Sequence, residues 1–172
     1  MRLSPEPLFS EAAIQTRVAE LAAEIAVDHA GETPLLVGVL KGAIHFLSDL
    51  HRAMPVPAEI DFISARSYIG MESSGTVDVR RVTDLDVAGR RVVLVEDILD
   101  TGRTAARLLA HLGAQQPASL KICTLLDKPE RREVSVHADY SGFEIPDRFV
   151  VGYGLDHDQR YRELRAIHTL DE

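Results

Sequence analysis

The string Val92-Val93-Leu94-Val95-Glu96-Asp97-Ile98-Leu99-Asp100-Thr101-Gly102-Arg103-Thr104-Ala105 sets two adjacent carboxylates, a third acid, two hydroxyls and a glycine directly behind an apolar run. Gly102 permits a tight turn, the N–H groups around it can converge on an anion, and a helix N-terminus behind them adds partial positive charge. With the hydroxyls of Thr101 and Thr104, the segment from Asp100 to Thr104 is shaped for a phosphate monoester. Glu96 and Asp97 would repel a phosphate unless they face groups whose hydrogen bonds they accept. Vicinal ribose hydroxyls, with Mg²⁺ nearby, meet that need, so the combination suggests a ribose phosphate. A plainer reading makes Thr104 a helix cap and the acids solvated turn residues.

Such groups act together only if the fold gathers them. In an open parallel sheet, ligands bind outside the carboxyl ends of the strands. Three apolar runs here end in polar residues: Leu35–Leu40 before Lys41 and Gly42, Arg91–Val95 before Glu96, and Leu120–Leu126 before Asp127 and Lys128. The first of them, Leu35–Leu40, shows no alternation, as expected for a strand covered on both faces. Helical spacing separates them. Ser10 caps a helix carrying Ile14, Val18, Leu21 and Ile25 and ending before Gly31. Ala43–Met54 and Ala105–Leu112 read as two more. Ala58–Ser64, Val134–Tyr140 and Phe149–Leu155 read as further strands, and Ser67–Thr76 as a mobile loop rich in glycine and serine. Strands alternating with helices imply an α/β fold, a mostly parallel twisted sheet flanked by helices with right-handed crossovers.

The 172 residues amount to about one domain. With 19 basic and 27 acidic residues, the formal charge of −8 argues against a nucleic-acid partner, which would need a basic surface. The N-terminus lacks a signal-peptide core and no apolar run is long enough to span a bilayer, so a cytoplasmic protein without a membrane partner is expected. One cysteine, Cys123, makes neither a disulfide nor a cysteine-based metal site and reads as a small core residue.

The strand, acidic pair and phosphate turn resemble the signature of the type I phosphoribosyltransferases. Three further motifs, VGVLKGAIHF (37–46), LLDKPERR (125–132) and GFEIPDRFVVGYGLD (142–156), narrow the resemblance to the hypoxanthine-guanine branch. The match runs from about Leu35 to Leu164 with motif order and spacing kept. It implies that fold with a small hood region, and transfer of a phosphoribosyl group from Mg²⁺-bound phosphoribosyl pyrophosphate to hypoxanthine or guanine, giving IMP or GMP and pyrophosphate. By resemblance, Asp100 exchanges a proton with purine N7, which is chemically apt because a base that loses a proton is a better nucleophile. Leu40, Lys41 and Gly42 contact pyrophosphate, often through a cis peptide before the lysine, and Arg162 joins them. Asp100, Thr101, Gly102, Arg103 and Thr104 take the 5′-phosphate. Lys128 donates to the purine 6-oxo group, Phe149 stacks on the base, and Val150 reads its edge. Asp156 reaches Mg²⁺ through water, and Glu96 and Asp97 stand beside the metal. Ser67 and Tyr68 match the pair on a lid that keeps water from the reacting centre. A dimer or tetramer is implied as well.

The sequence departs from the family pattern in places. Arg103 stands where lysine is frequent, and His157 where tyrosine is common. The run Asp156-His157-Asp158 invites a transition-metal reading, but it lacks an HExxH-type pair and reads as a solvated loop. The end of the chain, Arg165–Leu170, is more polar than in many bacterial relatives, which puts the final strand and subunit contacts in question. Two alternatives remain open: a relative preferring xanthine or another base, and a regulatory nucleotide-binding protein acting on RNA, against which the acidic balance and the pair Asp100 and Lys128 both speak.

Overall fold

A computed structural model describes residues 2–67, 77–81 and 86–171. In chain order the elements are β1 (Arg2–Leu3), α1 (Glu11–Asp28), β2 (Leu35–Leu40), α2 (Ile44–Ala53), β3 (Glu59–Ser67), β4 (Val77–Arg81), β5 (Arg91–Leu99), α3 (Arg103–Gly113), β6 (Ser119–Asp127), β7 (Tyr140–Glu144), β8 (Val150–Val151) and β9 (His168–Asp171). The main sheet runs β4-β3-β2-β5-β6-β7. Its five strands from β3 to β7 in that order are parallel, and β4 is an antiparallel edge strand on β3. A second, three-stranded sheet, β1-β9-β8, joins the chain ends and forms the small hood.

The unbroken apolar runs are explained by two-sided burial. Along β2 and β5, Leu36, Val93 and Val95 face a cluster built with Ile14, Leu21 and Phe46 of α1 and α2. Leu35, Val37, Val92 and Leu94, the intervening positions, face a separate cluster with Leu108 and Leu112 of α3. Period-two alternation is present in space but hidden in the sequence, because both faces are apolar. Cys123 lies in the first cluster, fully buried, with its thiol pKa pushed up by burial. The Ser10 hydroxyl caps α1 by accepting from the Ala13 N–H at 3.2 Å.

Consecutive crossovers lead from β2 outward to β3, and from β5 in the opposite direction to β6 and β7. The chain therefore reverses direction between β2 and β5, and the crevice above their carboxyl ends is where an open α/β sheet binds ligands. Both the Leu40–Gly42 segment and the acidic pair emerge there.

Several expectations are corrected. The strand expected at Arg91–Val95 continues to Leu99, so the acids sit within it: Glu96 pairs with Thr124 and Ile98 with Leu126. Val134–Tyr140 is not a strand. Val134 and Val136 instead pack on Leu99, Ala105 and Ile122, which accounts for their apolar alternation, and the ladder starts only at Tyr140. Just before it, Asp139 accepts from the Ile122 N–H through its carboxylate and donates its own N–H to the Ile122 carbonyl. Phe149–Leu155 keeps only Val150–Val151 as strand, because Gly152, Tyr153 and Gly154 all have left-handed φ values that a strand cannot follow. The polar C-terminal segment does form a final strand, pairing with both β1 and β8. Among the described residues, no helix is long and apolar enough to cross a membrane.

Candidate active site

Two adjoining cavities open above the switch point. The first, about 370 Å³, gathers Leu40, Gly42, Glu96, Asp97, Asp100, Thr101, Gly102, Thr104, Asp156 and Arg162. The second, about 500 Å³, is lined by Lys128, Phe149 and Val150 together with Arg131, Asp147 and Leu155. Asp97, Ile98, Asp100 and Asp156 belong to both walls.

Helix α3 starts at the floor of the first cavity. Gly102 is its N-cap, with φ +82°, and has no side chain with which to cap the helix, so first-turn amides beyond that of Arg103 are left for a ligand. Thr104 is inside the helix rather than its cap. The Thr101 hydroxyl stays close to the turn, accepting from the Arg103 N–H at 3.4 Å. Arg103 itself does not enter the cleft: its side chain is 69% exposed and its guanidinium lies 2.5 Å from the Glu133 carboxylate. Glu133 draws the side chain outward, which leaves the Arg103 backbone as its part of the turn.

The acidic pair is electrostatically loaded. Glu96 is buried, and desolvation, followed by the neighbouring Asp97 charge, holds its pKa well above the usual carboxylate range. Desolvation likewise raises Asp97 to about 6. Its backbone hydrogen bonds and Arg162 pull the other way, and Asp156 adds to the rise. The Asp97 carboxylate accepts from the Ile98 N–H at 3.0 Å and packs against Gly42, where any Cβ would collide with its Oδ2. Gly154 in turn abuts the Gly42 carbonyl so closely that it too can carry no side chain. A glycine after β2 and a glycine in the hood thus let the two loops close on the acids.

Glu96 Oε1 is buried without a hydrogen-bond partner, an orphaned oxygen that a cation or a hydroxyl would satisfy. The donors are all oxygen, which suits a hard divalent cation held by one or two carboxylates plus substrate oxygens. Among the described residues, however, no three or more His, Cys, Asp or Glu side chains converge to hold a metal. Asp156 is turned onto Arg162, Oδ1 to Nη2 at 2.6 Å. Arg162 also donates to the Gly154 carbonyl at 2.5 Å.

The peptide between Leu40 and Lys41 is cis. The Lys41 side chain is exposed, and its Nζ donates to Gln159 Oε1 at 3.2 Å. Gln159 is in turn anchored by its N–H to the Asp156 carboxylate at 2.8 Å.

In the second cavity Lys128 is 6% exposed, donating to the Arg148 carbonyl at 2.7 Å, with the Asp147 carboxylate 3.7 Å away. Phe149 is 49% exposed, with its ring edge-to-face against His157 at 5.5 Å. An exposed aromatic beside a buried cation leaves one apolar face and one donor free for a flat polar ring. Across the opening, Arg131 Nε lies 3.0 Å from Asp100 Oδ1 without the alignment of a hydrogen bond, and Arg131 Nη1 lies 3.1 Å from Asp147 Oδ1. Arg131, Asp147 and Gln159 were not singled out in the sequence: they lie in charged stretches that look like solvated connections, and a single 3₁₀ turn begun by Pro129 bends the first of these back over the site. Ser67 ends β3, and Tyr68 lies outside the described residues.

A parallel sheet with an anion-binding turn at one switch-point strand end and an acidic pair beside it defines a nucleotide- or sugar-phosphate-binding α/β protein. Residues 7–158 match the phosphoribosyl transferase domain family, and the chain belongs to that family. It is 46% identical over 170 residues to the hypoxanthine phosphoribosyltransferase of Salmonella typhimurium, covering 97% of this chain and 96% of that protein. It is also 46% identical over 171 residues to the hypoxanthine-guanine phosphoribosyltransferase of Mycobacterium avium, over 95% of this chain and 84% of that one. A crystal structure of a hypoxanthine-guanine phosphoribosyltransferase from Bacillus anthracis superposes with a TM-score of 0.93 at 43% identity, covering 99% of this chain and all of the other.

Proposed function

We propose that this chain is a purine-salvage transferase that moves the 5-phosphoribosyl group from phosphoribosyl pyrophosphate to hypoxanthine or guanine, giving IMP or GMP and pyrophosphate. The observation that carries this reading is the pair of cavities sharing Asp97, Ile98, Asp100 and Asp156: one polar and floored by a helix start, the other bearing a buried lysine and an exposed aromatic ring.

The 5′-phosphate sits on the amides and hydroxyls between Asp100 and Thr104, and Glu96 and Asp97 accept from the ribose hydroxyls. The base enters the second cavity, stacks on Phe149, presents its 6-oxo oxygen to Lys128 and its edge to the backbone at Val150. Asp100, on the shared wall, is placed to take the proton of N7 as N9 attacks the anomeric carbon, which raises the electron density of the base when the carbon–oxygen bond to pyrophosphate breaks. Lys41, released from Gln159, and Arg162, released from Asp156, stabilise the departing negative charge. Glu96 and Asp97 would hold Mg²⁺, which would supply charge neutralisation for the pyrophosphate. The enzyme works in the cytoplasm as a single-domain chain assembled into a homodimer or homotetramer.

The test is turnover. The protein is incubated with phosphoribosyl pyrophosphate, Mg²⁺ and, separately, hypoxanthine, guanine, xanthine, adenine and uracil, while pyrophosphate release is followed. Release with hypoxanthine or guanine, and little with adenine or uracil, is expected. Release with uracil or adenine alone would overturn the reading.

A further inference from the structure

A turn that offers its amides to an anion must direct carbonyls to the opposite side, and each of those needs a donor. At the phosphate turn the carbonyls of Leu99, Asp100 and Thr101 lie on that outer side; the Leu99 carbonyl accepts the Lys128 N–H at 3.0 Å, and one short segment supplies a further donor to it and donors to the other two. Arg132 Nη1 donates to the Leu99 carbonyl at 2.9 Å and also to the Asp100 carbonyl. The N–H groups of Glu133 and Val134 both donate to the Thr101 carbonyl, at 2.9 and 3.2 Å.

Arg132 is only 11% exposed, and it lines neither cavity. Its second nitrogen, Nη2, is held by the Asp127 carboxylate at the end of β6, which supplies the countercharge that a buried guanidinium requires. The arginine therefore ties the end of β6 to the back of the turn. A planar fork can serve a carboxylate on one side and two carbonyls on the other, which a lysine ammonium on a flexible stem cannot reproduce. The packing is tight as well: a Cβ at Gly102 would come within 3.0 Å of Arg132 Cδ.

We propose that Arg132 is a positioning residue for the phosphoribosyl substrate. By fixing the Leu99 and Asp100 carbonyls outward, it sets the two peptide planes that carry the N–H groups of Asp100 and Thr101 and the stem of Asp100, without touching the substrate itself. The inference rests on the reading of Asp100–Thr104 as the ribose-phosphate site and deepens it.

Binding of ribose 5-phosphate, measured by calorimetry alongside steady-state kinetics, separates the two. The wild type is expected to bind ribose 5-phosphate; failure to do so overturns the reading of the turn, and with it the role of Arg132. Arg132→Lys and Arg132→Gln are expected to weaken ribose 5-phosphate binding and raise KM for phosphoribosyl pyrophosphate by roughly 10–100-fold, the scale of a misplacement of about 1 Å in a binding group. KM for the base should stay within about twofold, since the second cavity loses no contact. A purely structural role would lower the melting temperature and weaken both substrates alike, which would overturn the proposal, as would wild-type ribose 5-phosphate affinity in either variant. If neither arginine variant folds, Asp127→Asn decides: it frees Nη2 and should raise KM for phosphoribosyl pyrophosphate several-fold with the base KM unchanged, and an unchanged KM for both would overturn the proposal.

Discussion

Replacing Asp97 by asparagine should stabilise the unliganded protein at neutral pH while weakening its grip on phosphoribosyl pyrophosphate. The carboxylate is lifted from its ordinary 3.8 to about 6, with desolvation the largest cause, and the neighbouring Glu96 is raised as well. At about 1.4 kcal/mol per tenfold change in proton affinity, the Asp97 shift corresponds to about 3 kcal/mol, an upper figure because the side chain is partly open to the cleft. The sign follows from linkage. A native carboxyl that holds its proton to higher pH than the unfolded chain makes stability fall as pH rises, from about 4 through about 6, and the loss is complete at pH 7.5. Asparagine never ionises, yet its Oδ1 can still accept from the Ile98 N–H that Asp97 binds at 3.0 Å. Asp97→Asn should therefore be more stable than wild type by about 1–3 kcal/mol at pH 7.5, or roughly 2–4 °C in Tm per kcal/mol for a chain of this size. The gain should shrink across pH 6 to 4 and vanish near pH 4. Urea unfolding of both proteins at several pH values in that range, without ligand or metal, measures it. A variant less stable than wild type at pH 7.5, or a difference independent of pH, would refute the electrostatic reasoning. Such a trade of stability for function is the common condition of charged sites.

Asp100→Asn should lower kcat by about 10²–10⁴-fold, the span of a general acid or base, with affinity for phosphoribosyl pyrophosphate retained; normal turnover in steady-state assays would remove it from the chemistry. Lys128→Met should reduce kcat/KM for hypoxanthine and guanine by about 1.5–3 kcal/mol and narrow the gap to adenine, because an ammonium only donates and adenine presents a donor where the 6-oxopurines accept. Competition assays between hypoxanthine and adenine check this, and an unchanged base ranking would contradict it. Gly42→Ala should raise KM for phosphoribosyl pyrophosphate at least tenfold, since the new methyl group collides with the Asp97 carboxylate, while KM for the base changes little; kinetics with each substrate varied in turn give the answer.

The sheet and its ligand-binding edge were legible because LLVGVL (35–40) and VVLV (92–95) lack polar side chains throughout, a pattern that two-sided burial demands, and because polar residues follow them at once. What escaped the sequence shares one cause: residues whose role depends on where a turn sends them. Val134 and Val136 alternate like a strand but serve as a cover over Leu99 and Ile122. Tyr153, between two glycines, looks like strand but is left-handed. Val77–Arg81 pairs as an edge strand whose sequence, VDVRR, is too short and polar to announce it. In Arg131-Arg132 the charges look alike, yet one guanidinium reaches Asp100 and the other is buried behind the phosphate turn. Arg103, assigned to the phosphate turn by resemblance, directs its side chain to Glu133 on the surface, which the sequence could not announce. Phe149 opens a run that reads as strand, yet its ring is half exposed in the cavity that Lys128 also lines.

The division of labour between the two cavities is tested most directly by a crystal structure with IMP bound, since one molecule must span both. The account predicts the 5′-phosphate on the amides and hydroxyls of Asp100–Thr104, the ribose diol at Glu96 and Asp97, the base stacked on Phe149, and its 6-oxo oxygen within hydrogen-bond distance of Lys128 Nζ. A nucleotide bound the other way round, with its phosphate at Lys128 and Arg131 and its base over Gly102, would contradict it.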